Sequence, residues 1–75
     1  MTKTAQKLKE LRHKKGETLA EVATAVGVTP SAICQYETGQ RVPGDKVKMA
    51  LAKHYNRSVQ FLFFIRVFRF YLPIR

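Results

Sequence analysis

The stretch from Thr18 to Glu37, TLAEVATAVGVTPSAICQYE, leaves the chain little choice of fold. Val22, Ala23 and Val26 recur at i, i+1 and i+4, so they share one helical face. Thr18 is placed to cap this helix, with Glu21 completing a capping box. Gly27 follows the last apolar residue, where a left-handed turn needs a residue without a Cβ. Thr29 then caps a second helix, and Pro30 suits its first position because the N–H it lacks would be unpaired there. Ile33 and Tyr36 form the apolar stripe of that helix. Two helices this short cannot each bury a face alone, so they must pack on each other and on neighbours.

This pattern resembles the helix-turn-helix of the lambda-repressor-like (Cro/CI, or XRE) family of DNA-binding domains. Small Ala23, turn Gly27 and Ile33 match the family's signature spacing, and Val22, Val26, Val28 and Tyr36 fall at its buried positions. A small residue lets the helices cross closely, the glycine permits the turn, and the branched residue fills the crossing. The resemblance runs from about Leu8 to Phe63 and implies an all-α fold, a five-helix DNA-binding domain over residues 1–63. Residues 64–75 are then a basic, hydrophobic extension of their own.

The charge agrees with a polyanionic partner. The chain carries a formal net charge of +9 over 75 residues, with a pI near 10.2, which favours nucleic acid. Its placement is uneven. Between Gly16 and Gln40 there is no Lys or Arg, while Glu17, Glu21 and Glu37 make the two-helix unit acidic. The cations flank it, in the helix ending at Lys15 and at Arg41, Lys46 and Lys48. Phosphate attraction is therefore expected from the flanks and base contacts from neutral side chains, the usual division between affinity and sequence choice.

Thr4 to Lys15 reads as the first helix, with Ala5, Leu8, Leu11 and Arg12 near one face and Gly16 ending it. In the resembling family an arginine at this place pairs with a glutamate at the end of the recognition helix, which implies an Arg12–Glu37 pair. The family also inserts the N-terminal half of that helix into the major groove. Outside the buried stripe the helix offers Thr29, Pro30, Ser31, Ala32, Cys34 and Gln35. Gln35 is the foremost base reader, since its amide can bond adenine at two points. Ser31 can meet a base or a phosphate, and Pro30, Ala32 and Cys34 present small surfaces. Thr18, Thr29, Gln40, Arg41, Lys46 and Lys14 are the expected phosphate contacts, Thr29 aided by the helix N-terminus. Leu19 departs from the family, which often carries a DNA-touching Gln there. Leu19 is expected to pack against the first helix or the tail instead.

Gly39, Pro43 and Gly44 mark a loop, and Gly39 to Pro43 is similar to the family's phosphate-gripping loop. A fourth helix follows, expected to be capped by Asp45, with Val47, Leu51, Ala52 and Tyr55 inward and Met49 and Ala50 filling the crossing. Asn56 is expected to terminate it. Ser58 then caps a short fifth helix containing Val59, Leu62 and Phe63, with the Arg57 stem lying over the core.

All five phenylalanines lie between residues 61 and 70. Alternation over the last stretch balances helical spacing, and β-propensity with Pro73 favours a strand. The segment is too short and too interrupted by arginine to span a bilayer. It can pair with its twofold mate, cover the domain's own core, or lie on a membrane surface. Dimerisation is the reading favoured here, through Phe61, Phe64, Ile65, Val67, Phe68 and Phe70, because small DNA readers usually need two copies. The expected protein is a dimeric cytoplasmic, nucleoid-associated repressor of a pseudo-palindromic operator on double-stranded DNA. The alternative is an antitoxin-like or accessory module whose Phe-rich tail binds a partner protein.

Enzymatic chemistry has little to work with. Five acids in all provide no evident carboxylate pair. His13 and His54 lack a second ligand at metal spacing, so no metal or other cofactor is expected. A single Cys excludes an internal disulfide, fits a reducing compartment, and Cys34 has no neighbouring base in sequence. Lys3, Lys7 and Lys9 interrupt any apolar run that would read as a signal peptide.

Overall fold

A computed structural model of the chain describes residues 3–63, the side chain of Gln60 excepted. Five helices follow one another: α1 (Lys3–Lys15), α2 (Leu19–Val26), α3 (Pro30–Thr38), α4 (Asp45–Tyr55) and α5 (Val59–Phe63). The all-α expectation holds over these residues.

The helix ends follow local chemistry. Thr18 Oγ1 accepts the Glu21 N–H at 3.1 Å while Glu21 Oε1 accepts the Thr18 N–H at 2.8 Å, the reciprocal capping box. Thr29 Oγ1 accepts the Ala32 N–H at 3.1 Å with Pro30 in the first turn of α3. Gly27 sits at φ +86°, and the N–H groups of Gly27 and Val28 both reach the Ala23 carbonyl. That left-handed turn is what lets α3 fold back across α2. Asn56 takes the same role after α4 at φ +55°, and Ser58 Oγ caps α5 through the Phe61 N–H.

α3 packs against α2 and α1, α4 against α2, and α5 closes over α1 and α4. The core so enclosed contains Leu8, Val22, Ala23, Ile33, Leu51, Tyr55 and Leu62. Val26 and Val28 are only half-buried against its edge, as is Leu19, which has taken the packing role its apolar side chain dictates.

Several expectations change. The cap of α4 is Gly44, not Asp45: Gly44 is extended, and its carbonyl accepts the Lys48 N–H at 2.9 Å. Asp45 is the first helical residue, where its charge still opposes the positive helix end. Met49 does not fill a crossing but is 64% exposed. It lies two residues from both Val47 and Leu51, which turns it to the opposite face of the helix. Ala32 is buried at 6%. The inner face of α3 takes in Ala32, Ile33, Tyr36 and Glu37, a wider stripe than Ile33 and Tyr36 alone, so Ala32 has no outer surface. The short fifth helix expected to contain Val59, Leu62 and Phe63 is present as α5. The expected strand, in the extension over residues 64–75, lies outside the described residues.

Candidate nucleic-acid interface

The outer face of α3 begins at its cap. Thr29, Pro30, Ser31 and Cys34 are exposed and Gln35 is half-exposed. Capping consumes a lone pair of the Thr29 hydroxyl and of the Thr18 hydroxyl, leaving each O–H free to donate outward. Both threonines can therefore hold a helix and meet a phosphate at once.

The inner face of α3 is anchored by charge. Arg12 Nε donates to Glu37 Oε2 at 2.8 Å and Nη2 donates to Oε1 at 3.0 Å, a side-on fork. The third arm, Nη1, donates to the Glu17 carbonyl at 3.0 Å. One guanidinium thus joins α1, the α1–α2 turn and the end of α3. The hydrogen bonds that Arg12 donates to Glu37 raise the Arg12 pKa above its ordinary value, against the opposing effect of burial. The pair inferred by resemblance is present, and Glu37 is the one buried charged residue among those described.

A second tie was not legible in the sequence. His54 Nε2 lies 2.8 Å from Glu17 Oε1, joining the α1–α2 turn to the end of α4. The residues stand 37 apart, and no local pattern signals the contact. Lys15 Nζ reaches the His54 carbonyl beside it, at 3.4 Å.

The loop after α3 folds over the last turn of that helix. The Gln35 carbonyl accepts the N–H of Gln40 at 3.0 Å and of Arg41 at 3.3 Å. Gly39, at φ +82°, makes that reversal. Arg41 then lies beside α3, its guanidinium carbon 5.9 Å from the centre of the Tyr36 ring. Gln40, Arg41, Lys46 and Lys14 are all exposed. Lys7 is engaged elsewhere: its Nζ donates to the Phe61 carbonyl at 2.8 Å and lies 4.4 Å from that ring's centre. Lys48 lies 5.6 Å from the Phe63 ring. So the cations of α1 and α4 divide between internal contacts and the surface.

A family model described as a helix-turn-helix domain matches residues 5–60. Among solved structures the chain is similar to the P22 c2 repressor in complex with a synthetic operator in the presence of Tl+. The TM-score is 0.79 at 26% identity, over 83% of this chain and 94% of that one. The chain belongs to the lambda-repressor-like helix-turn-helix family. No curated protein matches it.

In this helix-turn-helix domain α2 and α3 form the paired unit, and Arg12 and Glu37 brace it from within. Of the residues expected at a dimer contact, Phe61 is 50% exposed. It is flanked by Lys7 and by the exposed Arg57, whose guanidinium carbon is 5.9 Å from the ring. Phe64, Ile65, Val67, Phe68 and Phe70 lie outside the described residues. Cys34 is exposed, above a depression that Arg12, Leu19 and Glu37 also line. Among the described residues no group of three or more His, Cys, Asp and Glu side chains gathers as metal ligands. No described helix is long and apolar enough to cross a membrane.

Proposed function

We propose that this helix-turn-helix chain, a DNA-binding regulator of transcription by family, is a dimeric repressor that occludes a pseudo-palindromic operator. The observation that carries the reading is an α3 anchored from behind by the part-buried Arg12–Glu37 fork, with Pro30, Ser31 and Cys34 left facing outward. Such a helix enters the major groove as a rigid body. Pro30, Ser31, Cys34 and Gln35 meet base edges, while Thr18, Thr29, Gln40, Arg41, Lys46 and Lys14 meet phosphates. The likeness to the P22 c2 repressor, whose structure holds a synthetic operator, supports double-stranded DNA as the partner.

The mechanism is binding rather than catalysis. Exposed cations hold the backbone on either side, and the neutral outer face of α3 sets base preference. Residues 64–75 form the contact between two copies, placing half-sites about one helical turn, roughly 34 Å, apart. The site of action is the cytoplasmic nucleoid.

The test is salt-titrated binding of the full chain and of Gln35→Ala and Arg41→Ala. Gln35→Ala relaxes base preference, and Arg41→Ala lowers affinity on all sequences and reduces the salt slope by about 1. Unchanged binding in both variants refutes groove docking. Sedimentation of the chain with and without residues 64–75 tests the dimer. A shortened chain that remains dimeric refutes the tail contact.

A further inference from the structure

The end of α3 is organised around Gln35. Besides the backbone N–H groups of Gln40 and Arg41, its carbonyl accepts the Gly39 N–H and the Thr38 hydroxyl, the latter at 3.3 Å. This convergence carries the chain back along the helix and returns the Arg41 side chain to Gln35. Arg41 Nη1 lies 3.5 Å from Gln35 Oε1. The guanidinium also lies 5.9 Å from the centre of the buried Tyr36 ring.

A guanidinium only donates. The amide atom turned to Arg41 is therefore the oxygen, and the Gln35 NH2 is the end left for a ligand. That asymmetry matters for base reading. Adenine is read at two points only if the amide oxygen accepts from N6 while the nitrogen donates to N7. Guanine shows two acceptors, O6 and N7, on the same edge. An amide whose oxygen already accepts from an arginine keeps only one lone pair for adenine N6, so Arg41 biases Gln35 toward donation by its NH2 to the two acceptors of guanine.

We propose that Arg41 is a positioning residue that sets the hydrogen-bonding sense of Gln35, so that Gln35 selects guanine by donation. The inference rests on the groove docking of α3 stated above and revises the adenine expectation for Gln35. Arg41 still serves the phosphate backbone, because one N–H goes to Gln35 and the rest of the fork remains. The same side chain thus contributes both affinity and, through Gln35, base choice.

The experiment is selection by the full-length chain from a randomised duplex library at fixed salt. The position facing Gln35 is the one whose preference disappears in Gln35→Ala. Wild type enriches guanine there. Arg41→Ala frees the amide and moves the guanine-to-adenine ratio toward adenine by about fivefold, the equivalent of roughly 1 kcal/mol at one base edge. Lys46→Ala removes an exposed cation without touching Gln35, so it weakens binding and leaves that ratio where it was. Adenine enrichment by wild type overturns the proposal. So does an unchanged ratio in Arg41→Ala, or an equal shift in Lys46→Ala. If wild type enriches no sequence at all, the groove-docking reading fails first and this one falls with it, a result distinct from altered or unaltered ratios.

Discussion

Removing one partner of the Arg12–Glu37 fork and removing both should have very different consequences. The Glu37 side chain is 5% exposed and that of Arg12 13% exposed. Arg12→Met leaves a carboxylate in the interior with both hydrogen bonds gone. An uncompensated buried charge of this kind costs about 3–5 kcal/mol, and the deeper burial of Glu37 puts this variant near the upper part of that range. Glu37→Leu leaves the guanidinium, which keeps the Glu17 carbonyl at 3.0 Å and some access to water. Its cost falls near the lower part, about 3 kcal/mol. The double variant leaves neither charge and fills the space with apolar atoms, so it costs no more than about 1 kcal/mol and can be neutral. A chain of 75 residues has a total stability on the order of 4–11 kcal/mol. Either single change is thus a large fraction of the whole. Urea unfolding followed by circular dichroism measures all four corners of the cycle. The sum of the single costs should exceed the double by at least about 5 kcal/mol. If the double variant loses as much as the two singles added together, the pair is not coupled and the bracing role assigned to it is wrong.

Other outcomes are equally direct. Gly27→Ala meets no atom within 4 Å of the added Cβ, so its cost is backbone strain at positive φ alone, about 1–2 kcal/mol in urea midpoint analysis; a neutral result would show that the turn relaxes. The Tyr55 hydroxyl is buried without a hydrogen-bond partner among the described residues, so Tyr55→Phe should be neutral or raise stability by up to about 1 kcal/mol. Burial, with Glu37 and Glu17 nearby, pushes the Tyr55 phenol above its ordinary value of 10.0. The folded state therefore holds this proton where the unfolded state releases it. The stabilisation is fully present below pH 10 and declines as pH rises beyond it. Unfolding midpoints measured from pH 9 upward should fall more steeply in wild type than in Tyr55→Phe, and parallel curves would contradict this.

The turns and caps were readable because each depends on neighbours in the chain. Thr18 with Glu21, Thr29 with Pro30, and Gly27 after Val26 are local solutions to unpaired helix-end groups, and the structure keeps all of them. The Arg12–Glu37 pair came only through family resemblance, since residues 25 apart share no local pattern. Asp45 failed as a cap by a single residue, because Gly44 takes the extended conformation just as well and a cap is chosen by backbone course. Met49 failed because an apolar residue is not thereby an inward one. Its position around α4 decides, and that face has no partner among the described helices.

From its own letters, then, the chain determined that it would be helical, where α2 would turn into α3, and that its cations would flank an acidic centre. Those properties depend on residue type and short-range spacing. Only the packed structure decided that Ala32 would be buried, that Glu17 would meet His54, that Lys7 would be held against Phe61, and that Arg41 would return to Gln35. Each of these depends on the angle and depth at which helices cross, which is set by the whole core at once.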